Sequence, residues 1–236
     1  MGGTLNNNGE NLDSSIVIQE ESTNPQEAQQ DEDSITLPEA AIIINQSMYL
    51  PALSIDDISQ MSGGAMQITN FAGTTMPREI RGVFTTISIN SPEDAALSLT
   101  SVRNIMNIGE ISYICTSVEE RGSARLFFLQ QVYGGVVVYS GRYQVIASLD
   151  GTPEAVIGQF TAVDDGINLT PTLTAAQARN MAGLEENTAI ADSTLVIYRG
   201  TNGQTLLCWL LDTWDKLIFI DAHTGELAAE LTTLLN

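Results

Sequence analysis

The chain has 236 residues, 43% of them apolar, and sets 29 acidic side chains against nine basic ones, for a net charge of −20 and an isoelectric point near 4.1. That length and apolar content suffice for a buried core, in one large domain or two small ones. A polyanion of this strength is repelled by nucleic-acid phosphates and by anionic lipid surfaces, which excludes both as expected partners and leaves extracellular solubility or docking to a basic protein face.

The charge is unevenly placed. No Lys or Arg precedes Arg78, whereas Glu10, Asp13, Glu20, Glu21, Glu27, Asp31, Glu32, Asp33, Glu39, Asp56 and Asp57 do. Residues 1–34 contain no aromatic residue and no sustained periodicity. Such a composition cannot offset its ordering entropy by burial, so a disordered acidic leader is expected there. No apolar run of about 18 residues occurs, which predicts no transmembrane helix and no membrane insertion. The N-terminus also lacks the basic, apolar and small-residue regions of a secretory signal.

Residues 35–50 are apolar around Pro38, and Asp56 to Gln60 suits a short helix. Residues 65–71 and 76–89 read as the strands of a hairpin turned at Gly73-Thr74, with Pro77 near a strand start. Ser91-Pro92-Glu93-Asp94 is a helix start, because Ser91 can accept from the backbone, Pro92 fits the first turn, and two acids face the positive end of the dipole. The predicted helix runs to about Ile108 and stops at Gly109, with Ala95, Leu97, Leu99, Val102, Ile105 and Met106 on one apolar face. That face needs a sheet, and strands follow at 111–118, 125–133, 136–149 and 155–161. Gly134-Gly135 and Asp150-Gly151 supply the positive φ that hairpin turns need.

A second unit repeats this logic. Thr174 and Gln177 form a capping box for a helix through Met181, with Ala175, Ala178 and Met181 facing a sheet. Strands are predicted at 193–198, 204–211, 215–221 and 227–233, the last two joined at Thr224-Gly225. Cys115 and Cys208 each fall inside an apolar strand-like run, which favours reduced, structural thiols over the alternative of one disulfide.

The chemistry is sparse. A zinc hydrolase of the His-Glu-x-x-His type needs two histidines one helical turn apart, and this chain has one, His223, between Ala222 and Thr224 in a predicted turn. Ser-His-Asp or Cys-His catalysis would have to use that same residue. Asp164-Asp165 and Glu185-Glu186 are paired carboxylates, but adjacent acids in loops mark solvated surface and lack the interrupted spacing of a calcium loop. No enzyme, metal site or cofactor is expected.

Two patterns point to a family. Arg125 to Val145, containing Gln130-Gln131-x-Tyr133-x-Gly135-x-x-Val138-x-x-Gly141, resembles the strand-turn-strand of the fungalysin/thermolysin propeptide module. Phe219 to Glu226, reading Phe-Ile-Asp-Ala-His-Thr-Gly-Glu, resembles the closing hairpin of a PepSY module. Leu207-Cys-Trp-Leu-Leu211 is similar to the family's Leu-Ala-Trp strand with Cys208 in place of Ala. The family often carries a His or charged residue before its Arg-Phe pair, where this chain has Ser123-Ala124. The resemblance spans about residues 91–235.

It implies an α+β fold of two cystatin-like units, each a helix packed on an antiparallel sheet, after the disordered acidic segment. The corresponding domains are the leader at 1–34, an N-terminal extension with a strand hairpin at 35–90, a propeptide-like domain at 91–166 and a PepSY-like domain at 167–236. The implied function is that of a pro-region that inhibits a secreted thermolysin-like zinc metalloprotease and assists its folding, without catalysis of its own. The alternative is a standalone extracellular or cell-envelope protein-binding module acting in trans. Location outside the cell or in the envelope then requires an export signal removed before Met1. Asp221, His223, Thr224 and Glu226 are the candidate partner contacts, with the stretch from Glu226 to Asn236 as the segment that approaches the protease cleft. Tyr133, Gly135, Gly141, Trp209, Thr224 and Gly225 are residue types that hairpins and cores demand, so the motifs are expected to specify fold first.

Overall fold

Short helices begin where side chains can satisfy their first free amides. The computed structural model of the chain describes residues 41–184 and 192–233; the leader read at 1–34, the Glu185-Glu186 pair and the last residues of the C-terminal stretch lie outside them. Helices α1 (Ile55–Met61), α2 (Pro92–Ser98) and α3 (Ala175–Met181) each open on a capping box. The pairs are Ser54 with Asp57, Ser91 with Asp94 and Thr174 with Gln177.

Apart from 3₁₀ turns at Gln46–Met48 and Leu99–Val102, the other regular elements of the described residues are strands. The first strands are β1 (Ala41–Ile44), β2 (Gln67–Asn70), β3 (Pro77–Arg81), β4 (Ile111–Arg121), β5 (Ala124–Tyr133) and β6 (Val136–Ser148). There follow β7 (Pro153–Gln159), β8 (Asp192–Arg199), β9 (Thr205–Asp212), β10 (Lys216–Asp221) and β11 (Leu227–Thr232). Alternating burial runs along β6, where Tyr143, Val145 and Ala147 are buried and Arg142, Gln144 and Ile146 are not. That alternation is the period-two signature of a strand with one face on a core.

Among the described residues eleven strands join one mixed sheet in an α+β fold, in the order β1-β4-β5-β6-β8-β9-β10-β11, with β7, β3 and β2 branching from β6. The branch arises because β6 changes neighbour along one edge. Its distal part pairs antiparallel with β7 from Arg142 to Ala147, and its proximal part pairs parallel with β8 at Val137 and Val138. The strands of both proposed domains therefore share one hydrogen-bonded sheet.

Two of the apolar clusters on it each lie beneath a helix. Ala95 and Ala96 of α2, with Leu99, Val102 and Met106 beyond it, meet Tyr113, Phe127, Leu129, Tyr143, Val145 and Val156. Ala178 of α3 meets Val138, Ile197, Leu207, Trp209, Leu211 and Ile220. Burial of these side chains, each worth about 1.5–3 kcal/mol when complete, supplies the main driving force for the sheet to acquire its helices.

Two elements are shorter than predicted. The helix expected from Pro92 to Ile108 is α-helical only to Ser98, continues as a 3₁₀ turn over Leu99–Val102, and ends in turns that reach Asn107 at φ +51°. The cause is local: Ser98 Oγ donates to the Ala95 carbonyl at 2.7 Å and Thr100 Oγ1 to the Leu97 carbonyl at 2.7 Å. Such back-bonding competes with the i to i−4 ladder. The strand expected to run to Ile89 stops at Arg81, because Gly82 adopts φ +122° with Ser62 packed where a Cβ would stand. The chain then leaves the sheet, and Phe84 and Ile89 fold into the α2 core, both fully buried.

Both cysteines are free thiols, Cys115 half-buried on β4 and Cys208 buried on β9. Burial, with Asp221 nearby, pushes the Cys208 thiol up to about 12, and burial also raises Cys115. A thiol held protonated is a poor nucleophile. Titration of the native protein with a disulfide reagent at pH 8 is expected to modify Cys115 slowly and leave Cys208 unreacted until denaturant is added. Rapid modification of both thiols in the native state would contradict this placement.

Candidate partner-binding site

The four predicted contact residues meet in the turn between β10 and β11. Asp221 is the last residue of β10 and is 9% exposed. One of its carboxylate oxygens accepts from the amides of His223 at 2.8 Å and Thr224 at 2.9 Å, an Asx-type closure of the turn. The Gly225 amide donates to the Asp221 carbonyl at 2.9 Å, and the Asp221 amide donates to the Glu226 carbonyl at 2.9 Å. Gly225 needs its φ of +77°, and an added Cβ there would overlap Met181 Sδ.

His223 ties this turn to the chain that leads into α3. Its Nε2 lies 3.1 Å from the Asn168 carbonyl, and its Nδ1 lies 3.2 Å from Thr172 Oγ1. A carbonyl only accepts, so the neutral ring carries its proton on Nε2 and Nδ1 accepts from the Thr172 hydroxyl. The Ala222 carbonyl accepts from the amides of Thr172 and Leu173, and Trp209 Nε1 donates to the Leu173 carbonyl at 2.7 Å. Asp221 and His223 thus serve the fold of this corner, while the side chains of Thr224 and Glu226 remain exposed.

A different surface carries an apolar cluster with no helix among its members. On the face of the sheet opposite α3, Val196, Cys208 and Phe219 are buried beneath partly exposed Val137, Tyr139, Tyr198, Leu206, Leu210 and Leu217. Every member of this cluster comes from a strand. Phe219 is its centre, with the Tyr139 ring edge-on at 4.7 Å and the Tyr198 ring tilted at 4.5 Å between centroids. Offset and edge-to-face packing of this kind adds about 0.5–1.5 kcal/mol per pair beyond area burial.

Asp221, His223, Thr224 and Glu226 are not members of this cluster. Its signal was present in unbroken apolar runs, Val136-Val-Val-Tyr139 and Leu206-Leu-Cys-Trp-Leu-Leu211, which place apolar side chains on both faces of a strand. Among the described residues no cluster of three or more His, Cys, Asp or Glu side chains is placed to hold a metal ion, and no helix is long and apolar enough to cross a membrane.

Comparison with known proteins adds little. No family model matches this sequence, and no curated protein matches it. The Bacillus megaterium YpeB C-terminal domain is similar in structure at 17% identity, with a TM-score of 0.39 over 79% of this chain and 100% of that one. A likeness at that level carries no argument about what this chain does.

Proposed function

We propose that this chain is a non-catalytic protein-binding module of the propeptide and PepSY kind, acting as an inhibitor and folding assistant of a secreted thermolysin-like zinc metalloprotease. The observation that carries the reading is the strand-built apolar face around Phe219, whose Tyr139, Tyr198 and Leu210 stay partly exposed. Contiguous apolar area with aromatic side chains at its centre is the composition of protein contact surfaces. The protease as partner rests on the resemblance of the Gln130 to Gly141 and Phe219 to Glu226 patterns. A partner bound to folded protease stabilises it by mass action, and one that stabilises the folding transition state raises the folding rate. An extracellular or envelope location belongs to the same reading.

The test is inhibition of a purified cognate thermolysin-like protease by the full chain added in trans, with refolding yield of the denatured enzyme followed in parallel. Inhibition in the nanomolar to micromolar range is expected, weakened at least about tenfold by Tyr139→Ser with Tyr198→Ser, since interface aromatics carry about 2 kcal/mol or more each. The inhibition constant is also expected to rise with ionic strength, because exposed charges are screened beyond about 10 Å at 0.1 M salt. No inhibition and no gain in refolding yield would overturn the protease reading and leave the alternative, a binding module with another envelope partner.

A further inference from the structure

We infer that the outer face of the β5, β6, β7 and β3 branch holds a groove that binds an extended peptide segment bearing carboxylate side chains. This deepens the binding-module reading and rests on it in its broad form, whatever the partner. The cavity measures about 610 Å³, the size range of ligand sites, and lies on the side of the branch opposite α2.

Its electrostatics oppose those of the molecule around it. The chain has 29 acidic residues, yet no Asp or Glu lines this groove, and two of its nine basic residues, Arg78 and Arg142, do. The Arg78 guanidinium has no hydrogen-bond or ion-pair partner among the described residues. Glu79, the acid next to it on β3, has its nearest cation in Arg81, whose Nε lies 2.5 Å from Oε1 without hydrogen-bond geometry. The Arg142 guanidinium sits 5.6 Å from the centroid of the Tyr139 ring and donates one N–H to the Tyr139 carbonyl at 3.2 Å. A guanidinium stacked on an aromatic face is pre-organised, and its remaining N–H groups form the fork that matches a carboxylate.

The groove also suits a peptide backbone. Gln130 Nε2 donates to the Gly141 carbonyl at 2.8 Å and also to that of Val138, and Gln159 Nε2 donates to the Ser140 carbonyl at 3.0 Å. Each glutamine thereby keeps its side-chain carbonyl as an acceptor for a ligand N–H. Gln144, between Arg142 and Ile146 on β6, adds a second kind of amide contact with both donor and acceptor. Phe71 and Phe128 supply walls for aliphatic side chains. A lone inorganic anion would use the arginines and leave these acceptors and aromatic walls idle, which is why the occupant is a peptide. A nucleic acid carries a phosphate at every nucleotide, which two arginines in a chain of net charge −20 cannot offset, whereas a peptide needs only one or two carboxylates placed at Arg78 and Arg142.

The experiment is fluorescence polarisation of the full chain with a labelled hexapeptide alternating Glu and Val, against the matched peptide of Gln and Val, at 0.15 M salt. Saturable micromolar binding of the Glu peptide is expected. Charge-assisted hydrogen bonds are worth about 1.5–3 kcal/mol, so the Gln peptide and the variant Arg78→Gln with Arg142→Gln should each bind at least about tenfold more weakly. Both arginines are exposed, so the variant should melt as the wild type does. As a reading independent of any variant, amide shifts in the wild-type protein titrated with the Glu peptide should move at Gln130, Arg142 and Gln159. No saturable binding, equal binding of the two peptides, or shifts confined elsewhere would overturn the groove. Peptide binding without protease inhibition would overturn the protease reading alone, and inhibition without peptide binding would overturn the groove alone.

Discussion

Replacing Gly158 by Ala is expected to lower stability by about 3–5 kcal/mol, a large part of the roughly 5–15 kcal/mol that separates folded from unfolded domains. Gly158 pairs with Tyr143 in the β6–β7 ladder and adopts φ +145°, a conformation that L side chains rarely reach. An added Cβ would overlap the Arg142 carbonyl oxygen and stand 2.8 Å from Tyr143 Cα. Both are backbone atoms of the neighbouring strand, so relief requires the two strands to part. Gly122, in the β4–β5 turn at φ +64° with open space around it, is the control, and Gly122→Ala is expected to lose only about 1 kcal/mol. Urea unfolding followed by circular dichroism measures both. A loss below about 1 kcal/mol for Gly158→Ala would mean that β7 does not depend on this close approach.

The second large effect lies where the sheet branches. Gln131 occupies a register break in β5 and is 3% exposed. Its Nε2 donates to the Thr161 carbonyl at 2.9 Å, and its Oε1 accepts from the Thr161 amide at 2.9 Å. That pair fixes the chain just after β7, at the level where β6 exchanges β7 for β8. Gln131→Ala would strand two buried main-chain groups, each at about 1–3 kcal/mol, and an overall loss of about 2–4 kcal/mol is expected. Gly141 has the same root: a Cβ there would overlap Gln131 Oε1, so Gly141→Ala expels the side chain and forfeits the same bonds. The double variant should therefore lose at least about 1 kcal/mol less than the sum of the single ones in denaturant unfolding. Strict additivity would show that Gly141 has a separate role.

These two residues belong to the pattern that carried the family resemblance, and the structure assigns them a physical task. Gln130 crosses to the Val138 and Gly141 carbonyls, Gln131 crosses to Thr161, and Gly135 takes φ +87° in the β5–β6 turn. The motif is a joint in the sheet, legible in sequence as a hairpin with two glutamines but not as a branch point. Likewise Asp221 was legible as a strand end and His223 as a turn residue. The side-chain partners of His223, Asn168 and Thr172, stand some fifty positions earlier, so nothing local announced the link. The groove is hidden for a similar reason, being assembled from four or more elements, whereas the apolar runs behind the Phe219 face are visible in the sequence and only their convergence is not.

The sequence alone determined what short-range chemistry controls. Ser91 with Asp94 and Thr174 with Gln177 start their helices where the capping pattern places them, and Gly134-Gly135 and Gly225 turn the hairpins, because amide satisfaction and positive φ are decided within four residues. Apolar strand-like runs bounded by turn residues likewise placed the strands from Ile111 onward. Tertiary structure decided where those elements stop and what they join. Ser98 and Thr100 shorten α2, Gly82 releases β3 so that Phe84 and Ile89 reach the α2 core, and β6 takes β8 as a parallel neighbour. Each outcome depends on groups distant in the chain or on competition between two satisfied alternatives, and local propensity holds no record of either.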